Sequence, residues 1–97
     1  MPINILVMGR HADMMEKVLL LLKQLGYEQV TGMLTNEEVV AALLTKQYRV
    51  LIIGGGVDAE TRQMIIALLA EKNIPTKIVA HFGNPATLDE EIKNVIS

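Results

Sequence analysis

Residues 49–58 read Arg49-Val50-Leu51-Ile52-Ile53-Gly54-Gly55-Gly56-Val57-Asp58. An apolar run rich in β-branched side chains is the signature of a strand buried on both faces. The glycines directly after it free the backbone for a tight turn, and Asp58 is placed to cap a following helix. In an open parallel sheet the carboxyl end of a central strand is where ligands usually sit, so this turn is the first candidate for function.

Upstream, Ile3-Asn4-Ile5-Leu6-Val7-Met8 forms a first strand, ended by Gly9. Asp13 followed by Glu16 gives a capping-box-like helix start, and Gly26 stops that helix. Met15, Val18, Leu19, Leu22 and Leu25 keep helical spacing on one stripe, which Met14 and Leu21 widen. Leu20 falls among Glu16, Lys17 and Gln24, either as a lone exposed leucine or as part of a partner surface. Residues 30–34 make a second strand whose mixed polarity suits a sheet edge. Thr35 and Glu38 form a capping box, and Val39, Val40, Leu43 and Leu44 supply the buried face of the second helix.

Downstream of the glycines, residues 59–72 form a third helix with Ile65, Leu68 and Leu69 on its core stripe and Met64 beside them; Asn73 and Pro75 end it. Residues 76–82 are a fourth strand and Gly83-Asn84-Pro85 a turn. Thr87 and Glu90 form another capping box, ahead of a helix carrying Leu88, Ile92, Val95 and Ile96. Four strand–helix units joined by short loops call for one α/β domain over residues 1–97, with a parallel sheet, right-handed crossovers and helices on both faces.

The composition agrees. The chain of 97 residues is 51% hydrophobic, and its only aromatics are Tyr27, Tyr48 and Phe82, so the core must be aliphatic. A net charge of −2 with scattered lysines and arginines excludes the electrostatic footprint of a nucleic-acid binder. The absence of cysteine excludes disulfides, thiolate catalysis and Cys-based zinc sites. The apolar start at residues 3–8 lacks a basic leader, and no run approaches the eighteen or so apolar residues of a membrane span. The expectation is a soluble, cytoplasmic protein without an export signal.

The chain also resembles the response-regulator receiver domain. The likeness rests on Leu25-Gly26-Tyr27-Glu28 between the first helix and second strand, Asn36-Glu37-Glu38-Val39 opening the second helix, and Tyr48-Arg49-Val50-Leu51-Ile52-Ile53 as the third strand. Ile74-Pro75-Thr76-Lys77-Ile78-Val79-Ala80-His81 is similar to a receiver's fourth strand. The resemblance implies a flavodoxin-like, three-layer α/β/α fold of four βα units with strand order 2-1-3-4. It also marks what is missing. Receiver acidic residues after the first strand are replaced here by Gly9, Arg10 and His11; the phosphoacceptor aspartate is replaced by Gly54, and the switch Ser or Thr falls near Ala80. The fifth strand and its lysine are absent, the last helix matching either of the final two receiver helices. Without clustered carboxylates neither Mg²⁺ binding nor acyl-phosphate formation is expected. The fourth strand is left as an open edge.

Gly54-x-Gly56-x-x-Ala59 matches the G-x-G-x-x-G/A dinucleotide fingerprint between a strand and a helix, as in Rossmann-like folds. The fingerprint normally lies in the first βα turn, however, and the place of the ribose-binding carboxylate is taken by His81. Asp58 would repel a phosphate at the helix start. Under the 2-1-3-4 order, Arg10, His11 and His81 gather near Gly54, Gly55, Gly56 and Val57. That set can form a small anion site, or His11, His81 and Asp58 a sparse metal site; equally, the polar groups can be solvated or bonded to nearby backbone. No Ser-His-Asp or paired-carboxylate arrangement can be assembled. Thr35, Asn36 and Asn84 suit caps and turns, and Glu37-Glu38 and Asp89-Glu90-Glu91 suit helix starts.

The sequence therefore leads to a non-enzymatic, receiver-like domain, without cofactor, working through protein contacts and chiefly through self-association as a homodimer. The surface expected for this is the fourth strand, bearing Lys77, and its adjacent helices. The competing expectation is a domain binding a small ligand or anion at Arg10, His11, Gly54, Gly55, Gly56, Val57 and His81.

Overall fold

The computed structural model describes residues 3–54, 56–81 and 88–96. Its elements alternate: β1 Asn4–Met8, α1 Ala12–Gln24, β2 Gln29–Met33, α2 Asn36–Thr45, β3 Val50–Gly54, α3 Ala59–Glu71, β4 Lys77–His81 and α4 Leu88–Ile96. The four strands form one sheet in the order β2-β1-β3-β4, every neighbouring pair parallel. This is the expected three-layer, flavodoxin-like arrangement.

The sheet is built around β1 and β3, whose paired residues Ile5↔Val50, Leu6↔Leu51, Val7↔Ile52 and Met8↔Ile53 are all buried. Alternate side chains point to opposite faces, which divides the core in two. Leu6, Met8, Leu51 and Ile53 pack with Val39 and Leu43 of α2 and Ile65 and Leu69 of α3. Ile5, Val7, Val50, Ile52 and Val79 pack with Met15 and Leu22 of α1 and Leu88 and Ile92 of α4. The last helix thus shares a layer with the first.

The helix ends follow local chemistry. The Thr35 hydroxyl accepts from the Glu38 N–H (3.2 Å), which caps α2, and donates to the Glu38 carboxylate (2.8 Å), so the Glu38 side chain meets the cap through its hydroxyl. Gly26 takes φ 100° and terminates α1, with Tyr27 N–H reaching Leu22 C=O and Gly26 N–H reaching Lys23 C=O. Asn73, at φ 55°, closes α3 in the same way through Ile74 N–H to Leu69 C=O.

Several boundaries differ from the expected ones. α1 begins at Ala12 with His11 as N-cap, and no side chain bonds the cap, so Asp13 lies in the first turn instead of starting the helix. The cause is a short β1–α1 turn held by Arg10, described below. β2 lies one residue earlier than expected and β4 one residue shorter at its start, where the Thr76 hydroxyl bonds the Tyr48 carbonyl (2.7 Å). Met14 (55% exposed) and Leu44 (52%) leave the stripes assigned to them. Met14 stands roughly 90° around α1 from the buried Met15 and Leu22, and Leu44 roughly 120° around α2 from the buried Val39 and Leu43, at or beyond the edge of what one sheet face covers. Leu25, at the cap of α1, is also exposed, whereas Leu20 is exposed as its position requires. Phe82, the Gly83-Asn84-Pro85 turn and Thr87 lie outside the described residues.

Gly32 has a packing role. A Cβ there would lie 2.5 Å from Met15 Sδ, 2.9 Å from its Cγ and 3.0 Å from Leu19 Cδ1. The missing side chain is what lets α1 settle onto β2. Gly32→Val should lower stability by roughly 1–3 kcal/mol through overpacking, read as a lower denaturant midpoint with an unchanged slope; an unaltered midpoint would remove this role.

Candidate functional site

The strand order reverses between β1 and β3, so the crevice at their carboxyl ends lies between the turns that follow them. Gly9 at the end of β1 donates its N–H to Met33 C=O (3.2 Å), carrying the β1–β2 ladder one residue further. Gly56 then brings the third turn against the first: a Cβ on it would stand 3.6 Å from both Arg10 Cβ and His11 Cδ2. Arg10, His11 and Gly56 are thus brought together as the topology requires. Gly54 pairs with His81 in the β3–β4 register, which sets the end of β4 beside them. Gly55 and the His81 side chain lie outside the described part of the structure.

Arg10 is anchored. Its Nη1 donates to Leu34 C=O (2.8 Å) and its Nη2 to Asn36 Oδ1, so the guanidinium ties the β1–α1 turn to the β2–α2 turn. A planar fork with two fixed acceptors is a strut, and lysine cannot reproduce it. His11 is exposed at the N-cap of α1. Val57 is 2% exposed within the core beside α2 and α3, and its N–H bonds Gly54 C=O (3.2 Å), so its side chain is directed away from the crevice.

Asp58 caps α3, one carboxylate oxygen accepting from Thr61 N–H (2.8 Å). Its pKa is held below the ordinary aspartate value, first by the Thr61 hydroxyl, then by the Thr61 N–H; slight burial opposes this, and the positive charges of Arg10 and Arg62 add to it. The turn after β3 therefore carries a carboxylate fixed by its cap bond, within reach of the charge of a guanidinium that is already hydrogen-bonded. An incoming anion meets partial compensation there, while a ligand with a donor group meets an acceptor. Among the described residues no group of three or more His, Cys, Asp or Glu side chains is placed to hold a metal ion. None of the helices described is long and apolar enough to cross a membrane.

The sequence reading missed the roles of Asn36 and Thr61. Asn36 directly follows a helix cap and has an ordinary explanation there; its bond to Arg10 joins positions 26 residues apart and leaves no local trace. Thr61 stands three residues after Asp58, a spacing that does signal a cap partner. Compared with known proteins, the chain matches no family model, no curated protein and no solved structure.

Arg10→Ala should cost about 1.5–3 kcal/mol, the range for hydrogen bonds to a charged group, and Arg10→Lys should fail to restore most of it; equal denaturation midpoints for all three proteins would refute the strut. Asp58 also ties stability to acid. A carboxylate with a lowered folded pKa stabilises above its unfolded pKa, and that contribution is lost as pH falls through the folded value. Wild type should therefore lose melting temperature more steeply below about pH 4 than Asp58→Asn, which retains a cap acceptor but binds no linked proton; parallel pH profiles would show that Asp58 is uncoupled.

Proposed function

We propose that this chain is a non-enzymatic, receiver-like interaction domain that acts through protein contacts, its partner being a second copy of itself. The observation that carries this reading is the open sheet: among the described residues β2 and β4 each have a single neighbour, and a strand with one free side offers a row of unpaired amide groups. Exposed Met14, Leu20, Leu44, Met64 and Ile66 add apolar surface on three helices. The receiver likeness is supported by the βα alternation and strand order, with Gly54 where a phosphoacceptor would be, so contact replaces phosphoryl chemistry in this reading. A cysteine-free chain suits the cytosol, and the net charge of −2 does not suit nucleic acid.

Light scattering across a concentration series should give a mass rising to twice the 10.7 kDa of the chain. A strict monomer at high micromolar concentration would end the proposal.

A second reading follows from the approach of Gly56 to Arg10 and His11: a small ligand or anion bound by the turns after β1, β3 and β4. Inorganic phosphate or nucleotides should then raise the melting temperature, by as much as about 2.7 kcal/mol of stabilisation at a hundredfold excess over Kd. His11→Ala should abolish the rise, since the exposed His11 side chain makes no cap bond in the free protein. No rise with any of these ligands would dismiss this reading.

A further inference from the structure

We infer that two copies join edge to edge through β4, antiparallel and centred on Val79, to form a continuous eight-stranded sheet; the inference rests on the self-association reading above. The register follows from where the backbone groups of β4 point. Lys77 N–H donates to Arg49 C=O (3.0 Å), and Lys77, Val79 and His81 pair with Val50, Ile52 and Gly54. Amide groups alternate in direction along a strand, so those of Ile78 and Ala80 point away from β3. Around a two-fold axis at Val79, Ile78 of one copy faces Ala80 of the other, and both pairs exchange N–H and C=O. Four inter-chain hydrogen bonds result, leaving no outward amide of Ile78 or Ala80 unpaired.

The side chains fit this register. Ala80 is exposed and small on the α3 face, where it would oppose the half-buried Ile78. Val79 meets its counterpart on the α4 face. Each Lys77 stands opposite position 81 of the other copy, so the two lysines lie about 13 Å apart along the rim and do not repel across it. Leu88 and Ile92 share a core cluster with Val50, Ile52 and Val79, so α4 lies over β4 as well as β3, and the two copies of α4 would face each other across the β4–β4 seam.

The opposite rim is a poorer match. Met33 C=O accepts from Gly9, so the outward groups of β2 belong to Val30 and Gly32. A dimer there would rest on a glycine, which contributes no side chain and weakens a strand.

Two variants test the register. Ala80→Pro removes only an outward N–H and places the ring where the second strand must lie, while the β3–β4 ladder keeps all its donors. It should melt within a few degrees of wild type yet run at half the wild-type mass. Val79→Cys introduces the only cysteine into a cysteine-free chain. A non-hydrogen-bonded antiparallel pair has Cα atoms about 4.5 Å apart, inside the disulfide range. Mild oxidation should therefore cross-link Val79→Cys almost completely and leave Lys77→Cys as a monomer on a denaturing gel. A wild-type dimer in which Val79→Cys does not cross-link, or in which folded Ala80→Pro stays dimeric, overturns the β4 register but leaves self-association standing. A monomeric wild type overturns both. Should Ala80→Pro fail to fold, the two cysteine variants decide.

Discussion

Burial of β1 and β3 on both faces is the constraint from which the other elements follow. Ile5, Leu6, Val50, Leu51 and Ile53 have no exposed surface, and no strand can achieve that without a helical layer on each side. The chain meets the need by placing α1 and α4 over one face and α2 and α3 over the other. Because the parallel connections are helices, each layer is produced by the same links that set the strand order. The shallow, partly exposed burial of β2 is the counterpart of this concentration at the centre.

Much of this was legible because the signals are local. The run from Val50 to the glycines announced a central strand, and the Thr35 and Asp58 caps were readable from residues three apart. Gly26 marked its helix end because the required φ is one that glycine adopts freely. What failed depended on distant parts of the chain. The start of α1 moved because Arg10 is tied to Leu34 and Asn36, and Gly32 carried no sign that Met15 would press upon it. Met14 and Leu44 show a further limit: helical spacing names a stripe, while the curvature and width of the opposing sheet decide how much of it is covered.

The crevice was legible in outline and not in chemistry. Strand order alone implied that the turns after β1 and β3 would meet, and Gly56 does approach Arg10 and His11. Which groups are available there was hidden in the sequence, since a free arginine and one already bonded to two acceptors are spelled alike. Val57 is similar: adjacent to glycines it reads as part of a cradle, yet its side chain is core. Among the described residues of this turn region, Asp58 presents a capping carboxylate and Arg10 braces its surroundings.

The parallel register between β1 and β3 has a kinetic side. Ile5 meets Val50 across roughly 45 intervening positions, whereas Asn4 meets Gln29 across roughly 25. Closing the longer loop costs only about 0.5 kcal/mol more in chain entropy, a small difference beside the apolar surface removed from water when the two central strands meet. Loop length therefore gives little reason for β2 to dock first. The most distant contact in the sheet is thus handicapped very little by its separation along the chain, and it joins the two strands that are buried most deeply.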